Sequence, residues 1–282
     1  MKHLVSIDDL TKDEIHEIFV KTKKIKNSPT TYRTTREHTI LANLFYEPST
    51  RTNSSFFTAM TKLGGKVLNI NNVNYSSVTK GESLKDTIIT MGNYCDVIAL
   101  RSRTAGDALK AAKVSTVPII NAGDGNGEHP TQTLLDLYTI WDKFNRIEDL
   151  TITFVGDIEN SRTIHSLDKS LTNCNKHYRD TYNQEPWPKS DVYYLTRVQK
   201  ERGSSGSYSM TQDHVSSMHE NSIILHPFPR NEEIPEWFDD DPRAKYFEQM
   251  ENGLYVRMTL LMAYTEILSN KVYLTNNYIW TK

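Results

Sequence analysis

The chain has 282 residues, 37% of them hydrophobic and 24% charged, enough to bury the cores of about two domains. Its formal net charge of −2 excludes a global basic field for nucleic acid, so an anionic ligand has to meet a local cluster of Arg and Lys. Cys95 and Cys174, the 2 cysteines, exclude a disulfide framework or a cysteine zinc site and fit a reducing compartment. The N-terminus is polar and acidic without a leader pattern, and no apolar run approaches the ~18 residues of a membrane span. A cytoplasmic protein with no membrane or nucleic-acid partner is expected.

Thr11, with Glu14 three residues on, marks the start of a first helix whose apolar face is Ile15, Ile18, Phe19 and Ile25. A polar connection, Asn27 to His38, leads to a strand at Thr39 to Tyr46. Pro48 ends it, and Ser49-Thr50-Arg51-Thr52 open a helix with Phe56, Phe57, Met60 and Leu63 at helical spacing. Gly64-Gly65 close that helix, and Lys66 to Ile70 form the next strand. Asn71 to Lys80 reads as a loop, followed by a helix starting near Ser83. Cys95 to Leu100 is a strand ending at Arg101, Asp107 to Lys113 a helix, and Thr116 to Ala122 a strand ending in the turn Gly123-Asp-Gly-Asn-Gly127.

A long helix follows His129-Pro-Thr-Gln132. Leu150 to Val155 begins a second alternating set, with further strands at Asp191 to Thr196 and Ser222 to His226. Between His165 and Asp191 the pattern leaves room for one helix and a polar connector, Asn173 to Lys189. A last apolar helix spans about Gly253 to Leu268. Alternating strands and helices predict an α/β fold of two doubly wound parallel-sheet domains facing across a cleft, the second one shortened. The domain boundaries are set at 1–130, completed by the C-terminal helix 253–282, and 131–252.

The polar residues that could carry chemistry cluster at strand ends, where ligands of doubly wound sheets lie. Ser49 to Thr52 place free backbone N–H groups, hydroxyls and a guanidinium at one helix N-terminus. That is an anion site, and most naturally a phosphate site, against the alternative of an N-cap beside a surface arginine. Arg101, and His129 with Gln132, follow the other strands of the first half. Arg162, the pair Arg197 and Gln199, and His226 to Arg230 follow strands of the second. His165, His214 and His226 share no metal-ligand spacing, so neither a metal nor another cofactor is expected.

In order along the chain, FYEPSTRTNSSF, SSVTKGESLKDT, INAGDGNGEHPTQTLLDL, VGDIENSRTIHSL, LTRVQKER, HPFPRNEEI and DPRAKYFEQMENGLYVRM resemble the catalytic chains of the aspartate carbamoyltransferases. The resemblance covers nearly the whole chain. It implies carbamoyl transfer from carbamoyl phosphate to L-aspartate, an early step of pyrimidine synthesis. By that resemblance, Ser49, Thr50, Arg51, Thr52 and Arg101 hold the phosphate. Thr52, Arg101 and His129 face the carbonyl oxygen, and Gln132 orients the carbamoyl nitrogen with backbone carbonyls near Pro227 and Phe228. Arg162, Arg197 and Gln199 bind the two aspartate carboxylates, and Lys80 and Phe228 join them in binding aspartate. Ser76 and Lys80 enter a neighbouring copy's site, which implies a homotrimer with shared active sites. Glu47 and Arg202 serve domain closure, Glu47 meeting Arg162 and Arg202. A regulatory chain or a multienzyme partner is left open.

The chain departs from the family at Asn53, where many relatives carry arginine, and at Ser102-Arg103, where His-Pro is usual. It also departs in the short stretch after His165 and the short loop after Arg202. The rival readings are ornithine carbamoyltransferase, disfavoured by the absence of cysteine in His226-Pro227-Phe228-Pro229-Arg230, and a non-catalytic relative that binds carbamoyl phosphate.

Overall fold

The computed structural model describes residues 2–71, 81–180, 187–200 and 203–276, with side chains through residue 266. Two compact units divide the chain, one formed by Met1–Thr131 with Gly253–Lys282 and the other by Gln132–Asn252.

In the first unit, α1 (Lys12–Asn27) starts at the expected Thr11–Glu14 capping box. The strands β1 (Ile40–Phe45), β2 (Lys66–Ile70), β3 (Val97–Ser102) and β4 (Ile119–Asp124) form one parallel sheet in the order β2-β1-β3-β4. Helices α2 (Thr50–Lys62), α3 (Leu84–Gly92) and α4 (Asp107–Val114) connect them. The chain leaves β1 toward β2 and later returns to the opposite side of β1 as β3. Because parallel crossovers are right-handed, that reversal puts helices on both faces and opens a switch point between the C-terminal ends of β1 and β3.

Every residue of β3 and β4 is buried, whereas the edge strand β2 alternates between exposed and half-buried positions. β4 is the other outer strand, but Leu4 bridges to Ile120 along its open side, so β2 shows the pattern of an exposed edge where β4 does not. β3 and β4 run further toward their C-termini than their apolar runs suggest. Arg101 is therefore a strand residue in register with Phe45, and Tyr46 donates its N–H to the Arg101 carbonyl at 2.8 Å.

Helix α5 (Pro130–Phe144) leads into the second unit, where β5 (Thr151–Gly156), β6 (Asn175–Asp180), β7 (Val192–Leu195) and β8 (Ile223–Leu225) repeat the plan as β6-β5-β7-β8. Its switch point lies between β5 and β7. α6 (Arg162–Ser170) follows β5, and a short α7 (Gln212–Ser217) precedes β8.

β6 corrects the sequence reading, which treated Asn173 to Lys189 as connector. Asn-Lys-His-Tyr-Arg-Asp carries no apolar run because it is an edge strand with no residue fully buried. What it packs is Tyr178, stacked on Phe154 of β5 with ring centroids 5.6 Å apart. The C-terminal helix α8 (Tyr246–Asn276) begins earlier than expected and runs through Asn252-Gly253 without a break. In the first unit its Arg257 sits over the Phe56 ring at 5.4 Å and donates to Ser55 Oγ at 3.0 Å, bracing α2. Among the described residues no helix is long and apolar enough to cross a membrane.

Candidate active site

At the switch point of the first unit, β1 ends in Tyr46-Glu47-Pro48 and Ser49 occupies the N-cap of α2. Ser49 makes no side-chain capping bond, whereas Thr11, Ser83, Ser161 and Thr211 each cap their helices through a hydroxyl. The N-cap alternative therefore fails for the Ser49 hydroxyl. The first turn of α2 keeps N–H groups, the Ser49 and Thr50 hydroxyls and the exposed Arg51 at its positive end, while Thr52 is buried.

Arg101, on the neighbouring strand, is buried at 8% exposure. Its guanidinium is 3.0 Å from Glu47 Oε2, and Nη1 donates to the Ala122 carbonyl at 3.3 Å. Glu47 thus pairs inside its own unit. Gly123 explains how a third group joins them. It has φ +116°, and a Cβ there would come within 3.2 Å of Arg101 Nη1 and 3.4 Å of His129 Cδ2. Glycine lets the backbone pass between guanidinium and imidazole, holding both donors beside one turn. His129 is buried, with Nδ1 3.3 Å from Thr131 Oγ1.

Asn53, which departs from the arginine expected by resemblance, does structural work. Its Nδ2 donates to Asn69 Oδ1 at 2.9 Å and to Asn71 Oδ1 at 2.7 Å, tying α2 to the end of β2. Ser102 also stays polar and buried, its hydroxyl donating to Asp107 Oδ2 at 2.6 Å. Ser76, Lys80 and Arg202 lie outside the described residues.

In the second unit, Gln132 stands in the first turn of α5, buried, with Nε2 donating to Asp136 Oδ1 at 2.9 Å. Arg162 is the first residue of α6, behind the Ser161 cap, and is half-buried, as are Arg197 and Gln199 after β7. Asp157 organises this corner. It accepts from the Gln199 N–H at 3.0 Å, the Ser204 hydroxyl at 2.5 Å and the Asn160 N–H at 3.2 Å. Burial alone would raise the Asp157 pKa, but these donors hold it below the usual carboxylate range. Gly156, at φ +115°, lets β5 pass against the Thr196 carbonyl, to which Tyr208 donates at 2.8 Å. Beyond it lies a hollow of about 300 Å³ lined by Arg197, Val198, Lys200, Tyr208, Asn231, Glu232 and Glu233.

The segment after β8 is held by His226, which is fully buried. Its Nδ1 accepts the Phe228 N–H at 2.9 Å and its Nε2 lies 2.8 Å from Glu233 Oε1. Since Nδ1 is the acceptor, Nε2 carries the proton. Burial lowers the His226 pKa, favouring this neutral ring. Phe228 takes φ +55°, and the bond from Phe228 to Pro229 is cis.

Sequence reasoning passed over Asp157, although it ends the first apolar strand of its unit. It also passed over Asp136, four residues after Gln132 on the same helix face, and Gln249, which no local pattern signals.

Residues 2–142 match the family described as "Aspartate/ornithine carbamoyltransferase, carbamoyl-P binding domain", and residues 189–264 match "Aspartate/ornithine carbamoyltransferase, Asp/Orn binding domain". The chain is 41% identical to the aspartate carbamoyltransferase catalytic subunit of Archaeoglobus fulgidus, covering 93% of this chain and 98% of that one. Among solved structures, the catalytic subunit of M. jannaschii aspartate transcarbamoylase aligns with a TM-score of 0.84 at 40% identity, covering 94% of this chain and 98% of the other. Aspartate transcarbamoylase from Trypanosoma cruzi, in complex with N-(phosphonacetyl)-L-aspartic acid, aligns with a TM-score of 0.84 at 34% identity, covering 93% and 94%. With both family domains matched and relatives of this identity over nearly its full length, the chain belongs to the aspartate/ornithine carbamoyltransferase family.

Proposed function

We propose that the chain transfers the carbamoyl group of carbamoyl phosphate to the amine of L-aspartate, giving N-carbamoyl-L-aspartate and phosphate for pyrimidine synthesis. The observation that carries this reading is the convergence of Arg101 and His129 on Gly123, next to the uncapped N-terminus of α2. Ser49, Thr50, Arg51 and Thr52 take the phosphate with backbone N–H groups, hydroxyls and a guanidinium. Arg101, His129 and Thr52 donate to the carbonyl oxygen. That oxygen gains negative charge as the aspartate amine attacks, and one such donor is worth about 3–4 kcal/mol of barrier.

The new C–N bond forms as the C–O bond to phosphate breaks, and the departing phosphate accepts the amine proton. The site then works by position and charge without a separate general base. Gln132 and the backbone near Pro227 and Phe228 hold the carbamoyl nitrogen. Arg162, Arg197 and Gln199 take the two aspartate carboxylates, for which a planar guanidinium fork outperforms a point charge. The same residues disfavour ornithine, whose side chain is cationic.

The reading extends to a cytoplasmic homotrimer in which Ser76 and Lys80 of one copy complete a neighbour's site. Purified protein given carbamoyl phosphate with L-aspartate or with L-ornithine tests the reaction. Carbamoyl-aspartate is the expected product, and turnover of ornithine alone overturns the reading. Binding of carbamoyl phosphate without turnover of either amine favours a non-catalytic relative. For the shared site, Arg51→Ala and Lys80→Ala are each expected to be inactive and to regain part of the activity when dissociated and reassembled together. Normal assembly of the mixture with no activity sinks that part.

A further inference from the structure

Asp136 is fully buried on α5 and collects three donors. Oδ1 accepts from Gln132 Nε2 at 2.9 Å and from Gln249 Nε2 at 2.6 Å, and Oδ2 accepts the Tyr194 hydroxyl at 2.8 Å. All of these residues belong to the second unit. A carboxylate only accepts, so the nitrogen end of the Gln132 amide has to face it, leaving Oε1 as the end turned elsewhere. The same constraint reaches Gln249. With its nitrogen on Asp136, its Oε1 accepts the His226 backbone N–H at 2.8 Å. His226 in turn binds the Phe228 N–H through Nδ1 at 2.9 Å. In the planar peptide joining Pro227 to Phe228, which is not the cis bond, the carbonyl lies opposite the N–H, so the Pro227 carbonyl points away from His226. Two acceptors, Gln132 Oε1 and the Pro227 carbonyl, are thereby oriented by one connected set of buried groups that starts at Asp136.

We propose that Asp136 is a positioning residue that sets which end of the Gln132 amide meets the carbamoyl group. The site thereby selects an acyl phosphate bearing –NH2, which offers two N–H donors, over one bearing –CH3. This inference rests on the carbamoyl-transfer reading for the identity of the ligand, but it concerns recognition and not the transfer step. A site built to hydrogen-bond an N–H group rejects the analogue lacking it far more strongly than an apolar pocket rejects a missing methyl. Asp136→Asn keeps the arrangement, because Asn Oδ1 still accepts from both amides while its nitrogen donates to the Tyr194 hydroxyl oxygen. Asp136→Leu is close in size, removes the acceptor and lets the Gln132 amide turn over.

The test is the dissociation constant of carbamoyl phosphate and of acetyl phosphate for each protein, measured by titration calorimetry. Wild type and Asp136→Asn are expected to prefer carbamoyl phosphate to a similar extent. Asp136→Leu is expected to bind it about 30-fold more weakly, with acetyl phosphate changed by less than about 3-fold. Equal loss of both ligands in Asp136→Leu, as a general structural defect would give, overturns the proposal, as does unchanged preference. A second measurement does not depend on that variant folding. In 15N-glutamine-labelled wild type, the side-chain resonance missing from Gln132→Met is expected to exchange its protons at least about 10-fold more slowly than exposed glutamines. Exchange at the exposed rate overturns the proposal. A wild type that prefers carbamoyl phosphate but never forms carbamoyl-aspartate overturns the transfer reading while upholding Asp136. One that shows no preference overturns the role of Asp136 even where turnover is normal.

Discussion

The Arg101 guanidinium lies 3.0 Å from the Glu47 carboxylate, the two residues carried by the adjacent strand ends that form the switch point of the first unit. The pair aims a planar cation from a buried strand, and the second bond, to the Ala122 carbonyl, fixes its tilt. Lysine has donors to spare, but its compact ammonium lacks the planar fork that reaches Glu47 and the Ala122 carbonyl at once. Arg101→Lys is therefore expected to lower kcat by about 100-fold or more, the range for losing one preorganised donor, while the fold survives. Steady-state kinetics with a thermal melt of the same sample checks this. A variant within about 3-fold of wild type contradicts the assignment.

Gly123 makes a separate prediction. Gly123→Ala forces a side chain into the left-handed region and brings a Cβ to 3.2 Å from Arg101 Nη1. The backbone strain is worth about 1–3 kcal/mol, so the protein should still fold with a lowered melting temperature. Displacing two groups of the site together is expected to reduce kcat/KM by about 100-fold, more than the loss of stability accounts for. Parallel losses in folded fraction and activity would show Gly123 to be structural only.

Arg197 borders the hollow beyond Gly156, in a corner braced by Asp157. Arg197→Ala is expected to raise the KM for L-aspartate by about 10–100-fold, as for a lost charge-assisted carboxylate contact. Binding of carbamoyl phosphate should not change, because that site is assigned to other residues. Aspartate saturation curves at fixed carbamoyl phosphate decide it.

The His226 ring predicts a pH dependence of stability with a definite sign. Its pKa is lowered by burial from the ordinary 6.5, so the unfolded chain takes up the proton first as pH falls. Stability from the neutral ring is present above 6.5 and is lost progressively from there down toward the lowered value. Protonation also costs Nδ1 its acceptor role for the Phe228 N–H. Denaturant unfolding between pH 7.5 and 5 should show a declining free energy, with a shallower slope in His226→Gln. Identical slopes contradict the assignment.

Much of the candidate site was legible because the chemistry follows the strands in sequence. Buried parallel strands read as continuous apolar runs, so the polar residues just past Leu44 and Phe45, Leu100, or Tyr194 and Leu195 stand out. β6 was not legible, because an edge strand needs only Tyr178 against Phe154 and leaves no periodic signal. The contact of Glu47 with Arg101 was also missed, since the two residues follow different strands and no local pattern links them.

The sequence by itself determined the alternation of strands and helices, the helix start at Ser49 to Thr52 and the kinds of donor available, because periodicity and capping are written over a few neighbouring residues. Tertiary structure alone decided that β1 lies between β2 and β3, which creates the switch point, and that Arg101 and His129 meet across Gly123. It likewise decided that Gln249, 113 residues from Asp136, joins Gln132 on the same carboxylate. Strand order and buried polar pairing depend on which distant elements pack together, and a local pattern records only that a face is covered, not what covers it.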